Sequence, residues 1–133
     1  MAKAKAKRTL TLLEKLMADK SFVLSKAQAF QTMEMGEAVQ TLWASAASLE
    51  ERIAPLLDAG GEALEAAVHR ISAASCYGKS GELSRAVNLY QAALAGPLRA
   101  VTRKEVEGLL AACLARLKVT ASPRMAGEVA SAW

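Results

Sequence analysis

Leu10, Leu13, Leu16 and Met17 recur at spacings of three and four, which predicts a short amphipathic helix ending near Asp19. Ser21 or Ser25 can cap a second helix, with Phe22, Ala29, Phe30 and Met33 as its apolar positions and Gly36 as an interruption or bend. From Glu37 the pattern resumes strongly through Val39, Leu42, Trp43, Ala46, Leu49 and Ile53. Ser48 and Glu51 have capping-box spacing, so residues 22–58 read either as one kinked helix or as two. Pro55 lacks a backbone donor and demands a kink or stop before Leu56 and Leu57. Asp58-Ala-Gly-Gly61 is the clearest break in the chain.

The later pattern is cleaner. Residues 62–79 place Leu64, Ala67, Val68, Ile71 and Ala74 on one face, and Gly81 suits a left-handed C-terminal cap. Residues 82–95 place Leu83, Ala86, Val87, Tyr90, Ala93 and Leu94 together and stop at Gly96-Pro97. Thr102 and Glu105 have capping-box spacing and open a helix through Lys118, with Val106, Leu109, Leu110, Cys113, Leu114 and Leu117 inward. Ser122-Pro123 can start a short last helix. The expected fold is all-α, about six short helices packed as antiparallel hairpins: a basic tail over 1–8, a helical domain over 9–120, and a short C-terminal helix or tail over 121–133.

Composition supports this class. Ala and Leu account for 29 and 18 of the 133 residues, against 8 Val and 2 Ile, so helix formers dominate and an all-β fold is excluded. The net charge of +4 is unevenly placed: residues 1–26 carry +5 and the remainder −1. The alternation of Ala with Lys3, Lys5, Lys7 and Arg8 spreads charge around a helix rather than along one face, which reads as a solvated tail. No apolar run is long enough to span a bilayer, and Glu14 and Lys15 cut the first one, so a cytoplasmic protein is expected. Cys76 and Cys113 lie within apolar helical patterns and read as small buried hydrophobes, not a disulfide framework.

Within residues 67–100, Ala74, Tyr77, Gly81, Leu83, Ala86, Tyr90, Ala93 and Leu94 have a spacing that resembles a tetratricopeptide repeat. Small residues let paired helices approach, and aromatics fill the gaps beside them. Arg70 and Ala73 stand where that family has Trp and Leu, and Pro97 falls one residue early. The resemblance implies a small right-handed stack, with the helix over 103–118 as the next first helix or a cap. Its inner wall would carry Val68, Ile71, Ser75, Lys79, Glu105, Leu109 and Ala112 and would receive a partner helix or peptide.

Motifs for chemistry are thin. Residues 73–80 fit a relaxed phosphate-loop pattern through Gly78, Lys79 and Ser80, but no strand precedes them, and a helix C-terminus is the better reading. His69 is the single histidine and is expected to be exposed, so no cofactor, metal site or catalytic residue is assigned. Glu50, Glu51, Glu62, Glu65, Glu105 and Glu107 read as charges near helix starts. Met33 and Met35, two apart, cannot share a helix face, which leaves at least one exposed. The expected function is a non-enzymatic interaction module, such as an adaptor, chaperone or assembly subunit, working through an apolar helical surface. The alternative is a helical structural protein touching nucleic acid or an anionic surface through Lys3, Lys5, Lys7 and Arg8.

Overall fold

A computed structural model describes residues 10–131, with side chains described through residue 119; Lys3, Lys5, Lys7 and Arg8 lie outside that range. The described residues form five helices and no strand: α1 (Leu12–Thr32), α2 (Gly36–Ala59), α3 (Ala63–Ser80), α4 (Leu83–Ala95) and α5 (Ala100–Ser131). Connections of two to four residues make each helix antiparallel to the next. Among the described residues, extensive packing joins only consecutive helices, so the fold is a ladder rather than a bundle closed on itself.

The five helices agree with the expected all-α fold of about six, and two expected breaks do not occur. α1 runs through Asp19 without interruption; it starts at a capping box in which Glu14 N donates to Thr11 Oγ1 at 3.1 Å and Thr11 N donates to Glu14 Oε1 at 2.9 Å. Its inward phase is therefore set by Leu16 and continues through Val23, Leu24 and Ala27, while Phe22 is 68% exposed and Met33 65%. The stripe expected at Phe22, Ala29, Phe30 and Met33 is corrected accordingly. α5 likewise begins at Ala100, before Thr102, and its backbone continues past Lys118 and Pro123 to Ser131.

Between α1 and α2 the turn occupies Met33 to Met35, next to the interruption expected at Gly36, and its left-handed residue is Glu34 at φ 56°. α2 is one helix, so Ser48 does not cap, and Pro55 lies within it one turn before the end. Pro55 is exposed, and the following turn is held by burial of Leu57 and by Glu62 N donating to Leu57 O at 2.8 Å. The α3–α4 turn is as expected. Gly81 sits at φ 90°, and Glu82 N donates to Tyr77 O at 2.9 Å, which satisfies a terminal carbonyl of α3.

The core is built mainly from small residues. Ala46, Ala47, Ala66, Ala73, Ala74, Ala86 and Ala93 are all at or below 1% exposure, and Tyr77, Ile53 and Val106 are the largest side chains fully buried. Alanine faces let helix axes approach closely, so backbone packing replaces part of the side-chain area that larger residues would bury. Two apolar clusters result. One gathers Leu16, Ile53, Ala54, Leu57 and Ala66; the other surrounds Trp43, Tyr77, Tyr90 and Val106. α5 is fixed to α4 by Arg103, which donates to Leu94 O at 2.7 Å and to Gly96 O at 3.0 Å, and by Cys113 Sγ donating to Leu83 O at 3.6 Å.

Two glycines give opposite predictions. Gly81→Ala forces a side chain into the left-handed region and should lower unfolding free energy by about 1 kcal/mol. Gly108 lies in the exposed interior of α5 with nothing within 4 Å of an added Cβ, so Gly108→Ala should raise it by about 0.5–1 kcal/mol. Urea denaturation followed by far-ultraviolet circular dichroism reads both.

Candidate binding groove

Because alternate helices run parallel, α3 and α5 present matched ends, with α4 between them as a floor. At one end Ser75, Gly78 and Lys79 of α3, Tyr90 of α4, and Leu109, Ala112, Cys113 and Arg116 of α5 enclose a hollow of about 410 Å³. At the other end Leu64, Glu65 and Val68 of α3 face Leu98, Arg99 and Thr102 across a hollow of about 220 Å³. Leu64, Val68 and Leu109 are 39%, 48% and 46% exposed, so the groove keeps large apolar groups in water.

The residues expected on an inner wall separate into three groups. Ser75, Lys79, Leu109 and Ala112 converge on the larger hollow, and Val68 lines the smaller one. Ile71 is half-buried and packs on the core cluster, and Glu105 is exposed on α5 outside both hollows. Ile71 thus packs against the core cluster and lines neither hollow. Arg116, Tyr90 and Gly78 complete the wall and were not foreseen; Arg116 follows Ala112 by one helical turn, which is the signal that would have found it. The expected apolar wall is mixed in character, because Lys79 and Arg116 stand in it.

Lys79, in the last turn of α3, lies over the Trp43 ring, 4.2 Å from its centroid. There it borders a second hollow of about 460 Å³ with Gln28, Gln31, Thr32 and Trp43. Arg116 reaches across from α5 and donates to Gly78 O at 3.3 Å. The segment with phosphate-loop spacing, residues 73–80, forms the last two turns of α3, where the backbone amides are committed within the helix and cannot wrap a phosphate.

The least expected feature is a buried polar layer. Glu50 is 2% exposed in the middle of α2, where its Oε1 lies 2.6 Å from His69 Nδ1 of α3 and 3.8 Å from Lys20 Nζ of α1. Glu50 is therefore not a charge at a helix start, and His69, with a side chain only 13% exposed, is not an exposed histidine. A carboxylate this deep costs several kcal/mol unless it is paired, and it is answered by the Lys20 ammonium and by a hydrogen bond with His69 Nδ1. A second polar contact joins the same helices nearby: Tyr77 Oη donates to Glu51, and Arg85 donates to Tyr77 Oη at 3.3 Å. No group of three or more His, Cys, Asp or Glu able to hold a metal ion occurs among the described residues.

The two thiols are free and buried. Burial, with the negative Glu50 nearby, pushes Cys76 up from the ordinary 9.0 to about 11 against opposition from Lys79 and Lys20. Burial also raises Cys113, Tyr77 and Tyr90. All four ionise more readily in the unfolded chain; the share of stability that depends on the protonated Cys76 is complete below about pH 9 and is lost as pH rises toward about 11. The urea midpoint should fall across that window, and Cys76→Ala should make the fall shallower.

Glu50→Gln should cost about 1–3 kcal/mol, and a cycle with His69→Gln should show coupling of about 0.5–3 kcal/mol. Additive effects of the two substitutions would contradict an energetic pair.

The chain was compared with family models, with curated proteins and with solved structures, and none of the three gave a match.

Proposed function

We propose that the chain is a non-enzymatic protein–protein interaction module, an adaptor, chaperone or assembly subunit, that holds a helix or peptide of a partner along the groove between α3 and α5. The observation that carries this is the convergence of Ser75, Lys79, Leu109 and Ala112, from helices separated by a third, on one hollow of about 410 Å³. Exposed Leu64, Val68 and Leu109 offer apolar area to a partner, and each such side chain is worth about 1.5–3 kcal/mol when fully buried. A groove with apolar anchors and a few polar groups is the form in which helical surfaces take up peptide segments.

The hairpin of α3 and α4 supports a stack of the tetratricopeptide kind as part of this reading. Ala74, Ala86 and Ala93 are buried at the helix contact, with Tyr77 and Tyr90 beside them. Two free buried thiols fit a reducing compartment, and no described helix is long and apolar enough to cross a membrane.

Affinity capture from the native host with the full chain, read by mass spectrometry, tests the proposal when paired with Val68→Asp and Leu109→Asp. Both positions are exposed, so the variants should unfold at the wild-type temperature within a few degrees. A protein held by the wild type should be depleted at least about tenfold by either change. Capture that is indifferent to both substitutions would refute the groove as the binding surface.

A further inference from the structure

We propose that a second copy of this chain docks on the outward face of α1, the two α1 helices lying antiparallel about a two-fold axis at Phe22. The inference is independent of the peptide-binding reading, since the groove lies between α3 and α5 at the other end of the ladder.

The inward stripe of α1, through Leu16, Val23 and Ala27, is spent on the core, and extensive packing joins this helix only to α2. A second stripe has no neighbour. Leu12, Asp19, Lys26 and Met33 recur every seven residues along α1, and Lys15, Phe22 and Ala29 fall between them at alternating steps of three and four. Steps of that kind hold a seam toward one neighbouring helix, here over about 30 Å. Every residue of the seam is exposed, and Leu12, Phe22 and Met33 are each more than half exposed. None of them lines the hollows at Lys79 or at Leu64, so the seam is a ridge that fits another helix.

Charge decides the occupant and its direction. In an antiparallel pair centred on Phe22, positions equally far before and after that residue meet. Asp19 lies about 4.5 Å before Phe22 along the axis and Lys26 about 6 Å after it, so each Asp19 meets the partner's Lys26, twice per dimer. Leu12 and Met33, about 15 Å before and about 16.5 Å after, form an apolar contact at each end. Lys15 falls opposite Ala29, so no like charges meet. A parallel pair would instead set Lys15, Asp19 and Lys26 each against its own kind, which is repulsive or unpaired at all three positions.

Both charged groups are available for this pairing. Among the described residues neither Asp19 nor Lys26 has an ion-pair partner. The Lys26 ammonium stands 5.9 Å from the Phe22 ring centroid and 5.8 Å from that of Phe30, contacts that keep it beside the axis and leave its N–H donors open to a carboxylate. A seam complementary to its own reversed order fits a copy of itself, and an isologous contact closes at two. One helix per partner makes a small interface, so the expected dissociation constant is on the order of 10–100 μM.

The test is sedimentation equilibrium of the full chain over a range of concentrations, with circular dichroism to show that each variant keeps its helices. The wild type should reach a dimer and no larger species, and dimerisation should weaken as salt is raised. Asp19→Lys and Lys26→Asp, both at exposed positions, should each raise the dissociation constant at least about tenfold, because each sets like charges together at both ends of the contact. Combining the two swaps restores complementarity only in the antiparallel arrangement, so the double variant should return to within about threefold of the wild type. A wild type still monomeric at about 1 mM would overturn the proposal. So would a dimer indifferent to either single swap, which would place the contact on another face, and a double variant as weak as the single ones, which would refute the antiparallel pairing.

Discussion

One carboxylate disciplines the packing of the first three helices. The faces that α2 and α3 present to each other are largely alanine, and such faces are nearly uniform: sliding one helix along another by a turn exchanges one small methyl for another at little cost. Glu50 removes that freedom. Placed at 2% exposure, it is stabilised only at the register that brings His69 to 2.6 Å and Lys20 to 3.8 Å. The polar layer lies between the two apolar clusters, with Leu16, Ile53 and Ala66 on one side and Ala27, Ala47 and Ala74 on the other. The Ala surface supplies close approach and the ion pair supplies alignment, a division of labour that neither could perform alone.

The parts of the fold that are plain in the sequence are those in which a helix has one stripe and a clear stop. Leu83, Ala86, Val87, Tyr90 and Ala93 of α4 are all buried as their spacing indicates, and Gly81 takes the left-handed conformation its position suggests. The polar layer was legible only in retrospect. Glu50 follows Ala46 by four and precedes Ile53 by three, and Lys20 follows Leu16 by four and precedes Val23 by three, so both charges are in phase with the apolar stripes. The inward stripe of α1 passes from Leu16 through Lys20 to Val23 without a break, which leaves Phe22 on the outward side. Glu34 shows the same limit for turns: the left-handed residue there is a glutamate, two positions before Gly36.

The groove follows from parity more than from any motif. Because connections are short, odd-numbered helices run parallel, and positions at helical spacing on α3 align with those on α5. Ser75 with Lys79 and Leu109 with Ala112 could therefore be chosen from one-dimensional spacing and still meet in space. Ile71, which shares that spacing, packs against the core cluster instead. The covering of Trp43 by Lys79 involves residues of two helices and has no local signature.

A chain whose helices pack extensively only on their sequence neighbours assembles from contacts that are short along the backbone. Little loop entropy has to be lost before a contact forms, which places such a topology among the fast folders. The same connectivity makes opening graded rather than all-or-none. α5 depends on α4, the Arg103 fork and the Arg116 reach, whereas α3 is held on both sides. The outermost wall of the groove is therefore the segment that amide exchange should release first, hinged at Gly96-Pro97, and the width of the groove is set by a local equilibrium separate from the stability of the molecule as a whole.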